Sequence, residues 1–397
     1  MEQTTSLAPA GLPAPDAGQL ARAQRLQQHI LRDIAAHGGW IGFDRYMQLA
    51  LYEPGLGYYA AQPGVLGAWG GHSDFITAPE LSPLFAATLA RLLARIGQAE
   101  ALHDIVEFGA GSARLACDLL HELAADASWL PRQYVIVEVS AAMRQRQQQA
   151  VAALPADLAR RVVWWDHLPE RFDALVLGNE VLDAMPVRLL QREDEGWMER
   201  GVVAAGDGAL DWGLRALPVG TRLRPTLQCL PPGSVTEWHQ AAQAWIGTLA
   251  DHLGRGVALL FDYGFPAREY DHPQRSAGTL RCHRGHRVHD QPLWQPGLSD
   301  ITAHVDFSAV AAAAGNGGLH VLGYASQARA LLNWGLLDIL APRIAGGGSE
   351  AARLCAGVQK LLGEHEMGEL FKVIALGRGL SCGASLVGDG DRCAALD

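Results

Sequence analysis

Residues 104 to 180 alternate short apolar runs with stretches of helical spacing, and this alternation constrains the fold more than any other feature of the chain. DIVEFG (104–109) precedes a helical pattern from about 112 to 125, and YVIVEVS (134–140) precedes a Gln-rich one. RVVWWDHL (161–168) and DALVLGNE (173–180) are two further apolar runs. Strand-length apolar runs interleaved with helices predict a parallel sheet wrapped by helices, because each parallel crossover covers a face of the sheet. GVALLFDYG (256–264) and LFKVIALGRG (370–379) resume the buried-strand pattern later in the chain.

Around this frame the pattern changes. Residues 19–36 are helical and stop at His37-Gly38-Gly39, and a second helix runs from Pro83. VRLLQREDEGWMERGVVAA (187–205) predicts a β-hairpin turning near Asp194–Gly196, followed by a helix over about 234–252. Residues 265–306 show no periodicity, and an irregular stretch of that length in a compact protein is usually functional. The expected organisation is a disordered lead-in (1–18), a helical N-terminal segment (19–100) and a sheet domain (101–378). Insertions at about 187–230 and 265–306 interrupt that domain, and a frayed tail (379–397) follows it.

Hydrophobic residues make up 49% of the 397, enough for a sizeable core, and the net charge is −10. An acidic chain without a basic run is unsuited to nucleic acid, whose binding depends on neutralising phosphates. No apolar run approaches the roughly 20 residues that span a bilayer. The N-terminus carries no signal-peptide pattern. The six cysteines form no short-spaced pair, which reads as reduced thiols of a cytoplasmic protein.

The strand-to-helix turn decides the ligand class. Gly109-Ala110-Gly111-Ser112-Ala113 is followed by Arg114 where a dinucleotide fingerprint needs its third glycine, and no P-loop is present. An E-x-G-x-G turn with Glu107 at the strand end suits a ligand without a pyrophosphate. S-adenosylmethionine is such a ligand: its amino group can meet an acid and its carboxylate the backbone N–H groups near the helix start. Glu138, ending the second strand, can accept both hydroxyls of an unphosphorylated ribose, whichever cofactor carries it. Asp166 can accept from an adenine amino group, with Trp165 or His167 against the ring. Each signal alone has a plain reading as a tight turn or a solvated cap; their order at three successive strands favours an adenosine ligand.

Five stretches, LYEPGLGYYA (51–60), SDFITAPELSPLF (73–85), VEFGAGSARLA (106–116), LGNEVLDAMPV (177–187) and GLSDITAHVDF (297–307), together resemble the MidA family of S-adenosylmethionine-dependent methyltransferases. The similarity runs from about residue 25 to 378. It implies the class I methyltransferase fold: α/β, Rossmann-like, with a seven-stranded, mainly parallel sheet whose last strand is antiparallel. Added segments surround that sheet. It places the cofactor among Thr77, Pro79, Glu80 and Ser82, Gly109, Ala110, Gly111 and Ser112, Glu138 with Val139 and Ser140, and Asn179–Glu180. Ala113 departs from the family's third glycine, and Ser73 from the glycine before Asp74 and Phe75. The family's mitochondrial branch acts in respiratory complex I assembly and is linked to arginine methylation, so the resemblance implies a protein acceptor such as a respiratory-complex subunit.

Methyl transfer from a sulfonium is an in-line displacement, so alignment of the acceptor matters most, with closing loops such as PELSPLF and 265–306 as candidates. A guanidinium acceptor arrives protonated and needs carboxylates to hold its fork and take the released proton. Glu180 and Asp183, with Asn179, follow the fourth strand and suit that role; otherwise Asn179 caps a helix and Asp183 is a first-turn acid. His304 faces the site or is a structural histidine. Tyr263, after Asp262, walls the acceptor channel or packs at a strand end. Cys282, His283, His286 and His289 lack the paired spacing of a zinc site, so no metal is expected. The expected activity is methylation of an arginine on a partner protein. Its alternatives are a small-molecule O- or N-methyltransferase and a non-catalytic assembly factor.

Overall fold

The computed structural model describes residues 9–61, 77–126, 128–381 and 385–397. The proposed roles of Ser73, Asp74 and Phe75, and the first eight residues of the lead-in, lie outside these. The chain divides into two units. A sheet unit takes Ile76–Val181, Gln243–Gly264 and Phe307–Asp397, and a hairpin unit takes Met1–Phe75, Leu182–Ala242 and Phe265–Asp306.

In the sheet unit, strands run in the order His320–Ser326, Phe371–Arg378, Leu253–Phe265, Phe172–Asn179, Asp104–Phe108, Gln133–Val137, Val162–Trp165. Phe371–Arg378 is antiparallel to both of its neighbours, while Leu253–Phe265 through Val162–Trp165 pair in parallel. This is the seven-stranded class I methyltransferase arrangement. Its central strands read as continuous apolar runs because both faces are covered: Ile105, Val106, Leu175, Val176, Ala258 and Leu259 are all fully buried. The chain steps outward from Asp104–Phe108 through Gln133–Val137 to Val162–Trp165, then returns to Phe172–Asn179 on the other side. The carboxyl ends of Asp104–Phe108 and Phe172–Asn179 therefore flank the topological switch point, where open α/β sheets bind ligands.

In the hairpin unit, Asp16 caps the helix Ala17–Ala36 through a capping box with Gln19. The hairpin Arg188–Glu193/Gly196–Ala204 forms as its sequence predicts. Trp40–Gly42, Leu210–Ala216 and Val235–Trp238 complete a five-stranded antiparallel sheet. Leu26, Ile30, Phe43, Tyr46, Leu189 and Val202 belong to its core.

Four expectations need correction. Residues 234–252 are not one helix: Val235–Trp238 pairs with Arg188–Gln191, and the helix starts at Gln240. Residues 265–306 contain a small antiparallel sheet of Arg281–Arg284, Arg287–His289 and Asp300–Thr302. Buried Glu237 braces that stretch, accepting from Thr279 N at 2.8 Å, Leu280 N at 2.9 Å and Tyr270 Oη at 2.7 Å. The tail is anchored, not frayed: Val387 is fully buried, Trp334 Nε1 donates to Leu386 O and Arg392 N to Tyr324 O. Finally, the helix Pro83–Ala99, assigned from sequence to the N-terminal segment, packs in the sheet unit, because its apolar residues Leu89, Leu92 and Leu93 join that unit's core.

Candidate active site

The turn after Asp104–Phe108 uses left-handed backbone at alternate positions: Gly109 at φ 66°, Gly111 at 51° and Ala113 at 62°. Backbone that alternates in this way turns N–H groups toward one concave side, a natural anion cradle. At Gly109 a Cβ would lie 2.8 Å from Val181 Cγ2, so only glycine fits there. Ala113 tightens the turn through N–H donation to Ala110 O at 2.7 Å before the helix Arg114–Asp126 begins. Its conformation is the one a glycine adopts without strain, which explains why this position departs from the family pattern at a cost.

Glu138 follows Gln133–Val137, and both of its oxygens are fixed. Ser140 N donates to Oε1 at 2.8 Å and Gln147 Nε2 to Oε2 at 3.0 Å. Gln147 also donates to Gly111 O at 3.1 Å and accepts from Trp164 Nε1 at 3.0 Å. This fully buried glutamine thus ties the glycine turn to Glu138, a role that sequence reading missed. The signal was present: Met143, Gln147 and Val151 recur at i, i+4 and i+8, so a polar residue stands in the buried stripe of its helix. Beside Glu138, Val139 is 86% exposed, an apolar surface at the sheet's edge. Ser140 caps the helix Ala141–Val151.

Across the switch point, Phe108 pairs with Gly178, which sets Asn179 alongside Gly109. Asn179 Nδ2 donates to Glu180 Oε1 at 3.0 Å, while Asn179 Oδ1 is buried with no hydrogen-bond partner among the described residues. Glu180 adopts φ 55°, unusual for a residue with a side chain, and its N–H is held by Phe261 O at 2.8 Å. Such backbone strain concentrates at functional sites. The short helix Ala78–Leu81 reaches the turn through Ser112 Oγ, which donates to Glu80 Oε1 at 2.7 Å. Thr77 precedes that helix as its N-cap and Pro79 is buried within it. Ser82 is also buried, and its hydroxyl caps Pro83–Ala99.

Other expected positions are placed differently. The Glu107 carboxylate lies inside the sheet and accepts from Tyr134 Oη at 2.8 Å; burial raises it from 4.5 to about 7. Asp166 is largely exposed and pairs with Arg144 at 2.7 Å. Trp165 meets Phe172 edge-on, and His167 is exposed. Tyr263 packs edge-on against Phe371.

In the hairpin unit, Asp183 is 5% exposed and its carbonyl accepts from Ala303 N at 3.0 Å. His304 is half-buried, donates its backbone N–H to Thr279 Oγ1 and packs against Phe265. Cys282 is fully buried in the core, His286 occupies a left-handed turn, and His289 contacts Ser299 Oγ at 3.0 Å. These residues shape the small sheet. Among the described residues no group of three or more His, Cys, Asp or Glu is placed to hold a metal ion. No helix among them is long and apolar enough to cross a membrane.

The switch-point crevice offers backbone N–H groups for a carboxylate, the orphaned Asn179 Oδ1 for an amino group and Glu138 for a diol, which together fit S-adenosylmethionine. Comparison with known proteins agrees. Residues 84–325 match the model of an S-adenosyl-L-methionine-dependent methyltransferase family. A Drosophila melanogaster protein named as a mitochondrial protein arginine methyltransferase NDUFAF7 homolog is 30% identical, over 91% of this chain and 86% of its own. The Mus musculus protein arginine methyltransferase NDUFAF7, mitochondrial, is 30% identical over 88% of this chain and 83% of its own. The crystal structure of a COG1565 superfamily member from Burkholderia thailandensis bound to S-adenosyl-homocysteine is 45% identical with a TM-score of 0.89, covering 97% of this chain and 100% of that one. The mitochondrial relatives overturn the cytoplasmic expectation, because cysteine spacing does not specify a compartment. The chain is an enzyme that uses S-adenosylmethionine, and it belongs to the S-adenosylmethionine-dependent methyltransferase family that its MidA-like motifs resemble.

Proposed function

We propose that this methyltransferase modifies an arginine of a partner protein, holding its cofactor at the turn 109–113, at Glu138 and at Asn179. The cofactor supplies a methyl group on a sulfonium. The turn's N–H groups receive the cofactor's carboxylate, Asn179 Oδ1 its amino group and Glu138 its ribose hydroxyls, with Val139 beside the adenine. Asp183 holds the acceptor guanidinium and takes the proton that its nitrogen releases. The observation that carries the reading is the burial of Asp183, 5% exposed, in a chain whose relatives are named arginine methyltransferases. A buried carboxylate favours a strongly basic, planar partner over a neutral one. The resemblance directs the search for that partner to subunits of respiratory complexes.

The test is capture of partners by the wild-type enzyme loaded with S-adenosyl-homocysteine, followed by mass spectrometry of the captured proteins after incubation with enzyme and S-adenosylmethionine. Methylated arginine on a captured protein is the expected result; methylation confined to other residue types would overturn the reading. By calorimetry, Glu138→Ala should sharply weaken S-adenosyl-homocysteine binding, whereas Asp183→Ala should keep it while turnover falls. Equal loss of cofactor in both variants would refute this division of roles.

A further inference from the structure

Within the hairpin unit, two tyrosines and two acids from separate segments come together. Tyr52 ends the helix Phe43–Tyr52, Tyr59 lies in the turn Tyr58–Ala61, and Asp300 opens the strand Asp300–Thr302. The two rings stack with centroids 5.5 Å apart at 25°. Tyr59 Oη donates to Asp300 Oδ1 at 2.8 Å, and Tyr52 Oη to Ala184 O, next to Asp183, at 2.9 Å. Both phenols are held above their ordinary value, first by burial of the hydroxyl and then by the charges of Asp300 and Asp183. Tyr59 thus meets the Asp300 carboxylate directly, and Tyr52 meets the backbone next to Asp183. Asp300 is 2% and Asp183 5% exposed, whereas Tyr52 as a whole is 41% exposed. Tyr52 therefore meets water while both acids lie beneath the surface.

A second, independent observation points to a ligand. Thr302 lies two positions after Asp300, so strand alternation puts both side chains on the same face, while Ile301 and Ala303 enter the core with Leu26 and Cys282. Thr302 is 3% exposed, and its Oγ1 has no hydrogen-bond partner among the described residues. A buried hydroxyl without a partner is unfavourable, and an N–H donor arriving beside Asp300 would relieve it.

Buried carboxylates select a cation, stacked tyrosines favour a planar one, and a hydroxyl acceptor adds a requirement for several N–H groups. Guanidinium has all three properties, whereas ammonium lacks the plane. We propose that this cluster receives the acceptor arginine: the exposed Tyr52 ring, backed by Tyr59, lies against its plane, Asp183 and Asp300 accept its N–H groups, and Thr302 Oγ1 accepts another. The proposal rests on the arginine reading above and adds Tyr52, Tyr59, Asp300 and Thr302 to it as specificity-determining residues.

The test titrates the full chain with N-acetyl-arginine amide and with N-acetyl-citrulline amide, its uncharged counterpart, followed by NMR. The arginine probe should bind and the citrulline probe should not. Asp300→Asn should weaken binding by roughly tenfold or more, as for a hydrogen bond to a charged group. Thr302→Val should keep or raise the melting temperature yet weaken binding by about fivefold. Tyr52→Leu should also weaken binding, so two mild variants carry the test if Asp300→Asn fails to fold. Equal affinity for both probes, or wild-type affinity in both Thr302→Val and Tyr52→Leu, would overturn the proposal. The two readings fail separately. Arginine methylation on a partner with an unchanged KM in those two variants removes the cluster but leaves the activity. Selective arginine binding by an enzyme that methylates only other residue types removes the activity but leaves the cluster.

Discussion

Ala113 shows how much one backbone angle carries. At φ 62° an alanine loses about 1–2 kcal/mol relative to a right-handed residue. Glycine would recover that but forfeit about 0.5–1 kcal/mol of chain entropy and roughly 0.8 kcal/mol for a buried methyl. Ala113→Gly should therefore melt close to wild type, while Ala113→Val, with a branched side chain in the same region, should melt many degrees lower. A large loss in the glycine variant would show that the methyl's packing outweighs the strain. Glu107 makes a pH prediction. Its folded carboxyl is raised to about 7 from 4.5, so between those values the native state binds more protons than the unfolded chain. Stability from this group is present below about pH 4.5 and declines as pH rises to about 7, by on the order of 3 kcal/mol. Glu107→Gln should flatten that decline in urea titrations at pH 5 and pH 8; an unchanged slope would assign the dependence to other groups. At this scale the sequence was readable where the backbone demands a residue type, as at Gly109. It was silent where geometry redirects a side chain: Asp166 turns to Arg144, and Glu107 to Tyr134.

The helix Ala141–Val151 links two parts of the crevice through one residue. Gln147 donates to Glu138 and to Gly111 O, so the helix positions both Glu138 and the glycine turn. Gln147→Leu keeps the volume and the buried stripe but strands Gly111 O, Glu138 Oε2 and Trp164 Nε1. Such unsatisfied groups cost about 1–3 kcal/mol each where they remain dry, and less where water enters. We expect a folded but less stable variant whose affinity for S-adenosyl-homocysteine falls by roughly tenfold, read by calorimetry. Wild-type affinity would reduce Gln147 to a packing role. Elements with strong local patterns were legible: the apolar strands, the hairpin at Asp194–Gly196 and the helices Ala17–Ala36 and Pro83–Ala99. Val235–Trp238 was not, because what makes it a strand is its pairing with Arg188–Gln191, over forty positions away in the chain.

On the scale of the whole molecule, Met1–Phe75 and both insertions gather into one unit while three separated stretches build the other. Local periodicity detects elements but not which distant segments share a core, so the insertions were legible as interruptions and not as one body. Their division gives a clear expectation: S-adenosyl-homocysteine should slow hydrogen exchange at 107–113, 136–141 and 177–181 and leave the strand Leu210–Ala216 unchanged. The net charge of −10 gives another, because an acidic chain attracts a cationic acceptor before contact. Salt shortens the range of that attraction from about 10 Å at 0.1 M to about 3 Å at 1 M. For an arginine-bearing peptide, kcat/KM should therefore fall several-fold as salt rises from 50 mM to 0.5 M. S-adenosyl-homocysteine carries no net charge at neutral pH, so its dissociation constant should move little over the same range. A flat kcat/KM with an equally flat cofactor affinity would show that the chain's charge does not steer its acceptor. Parallel weakening of both would place the salt effect on the cofactor crevice instead.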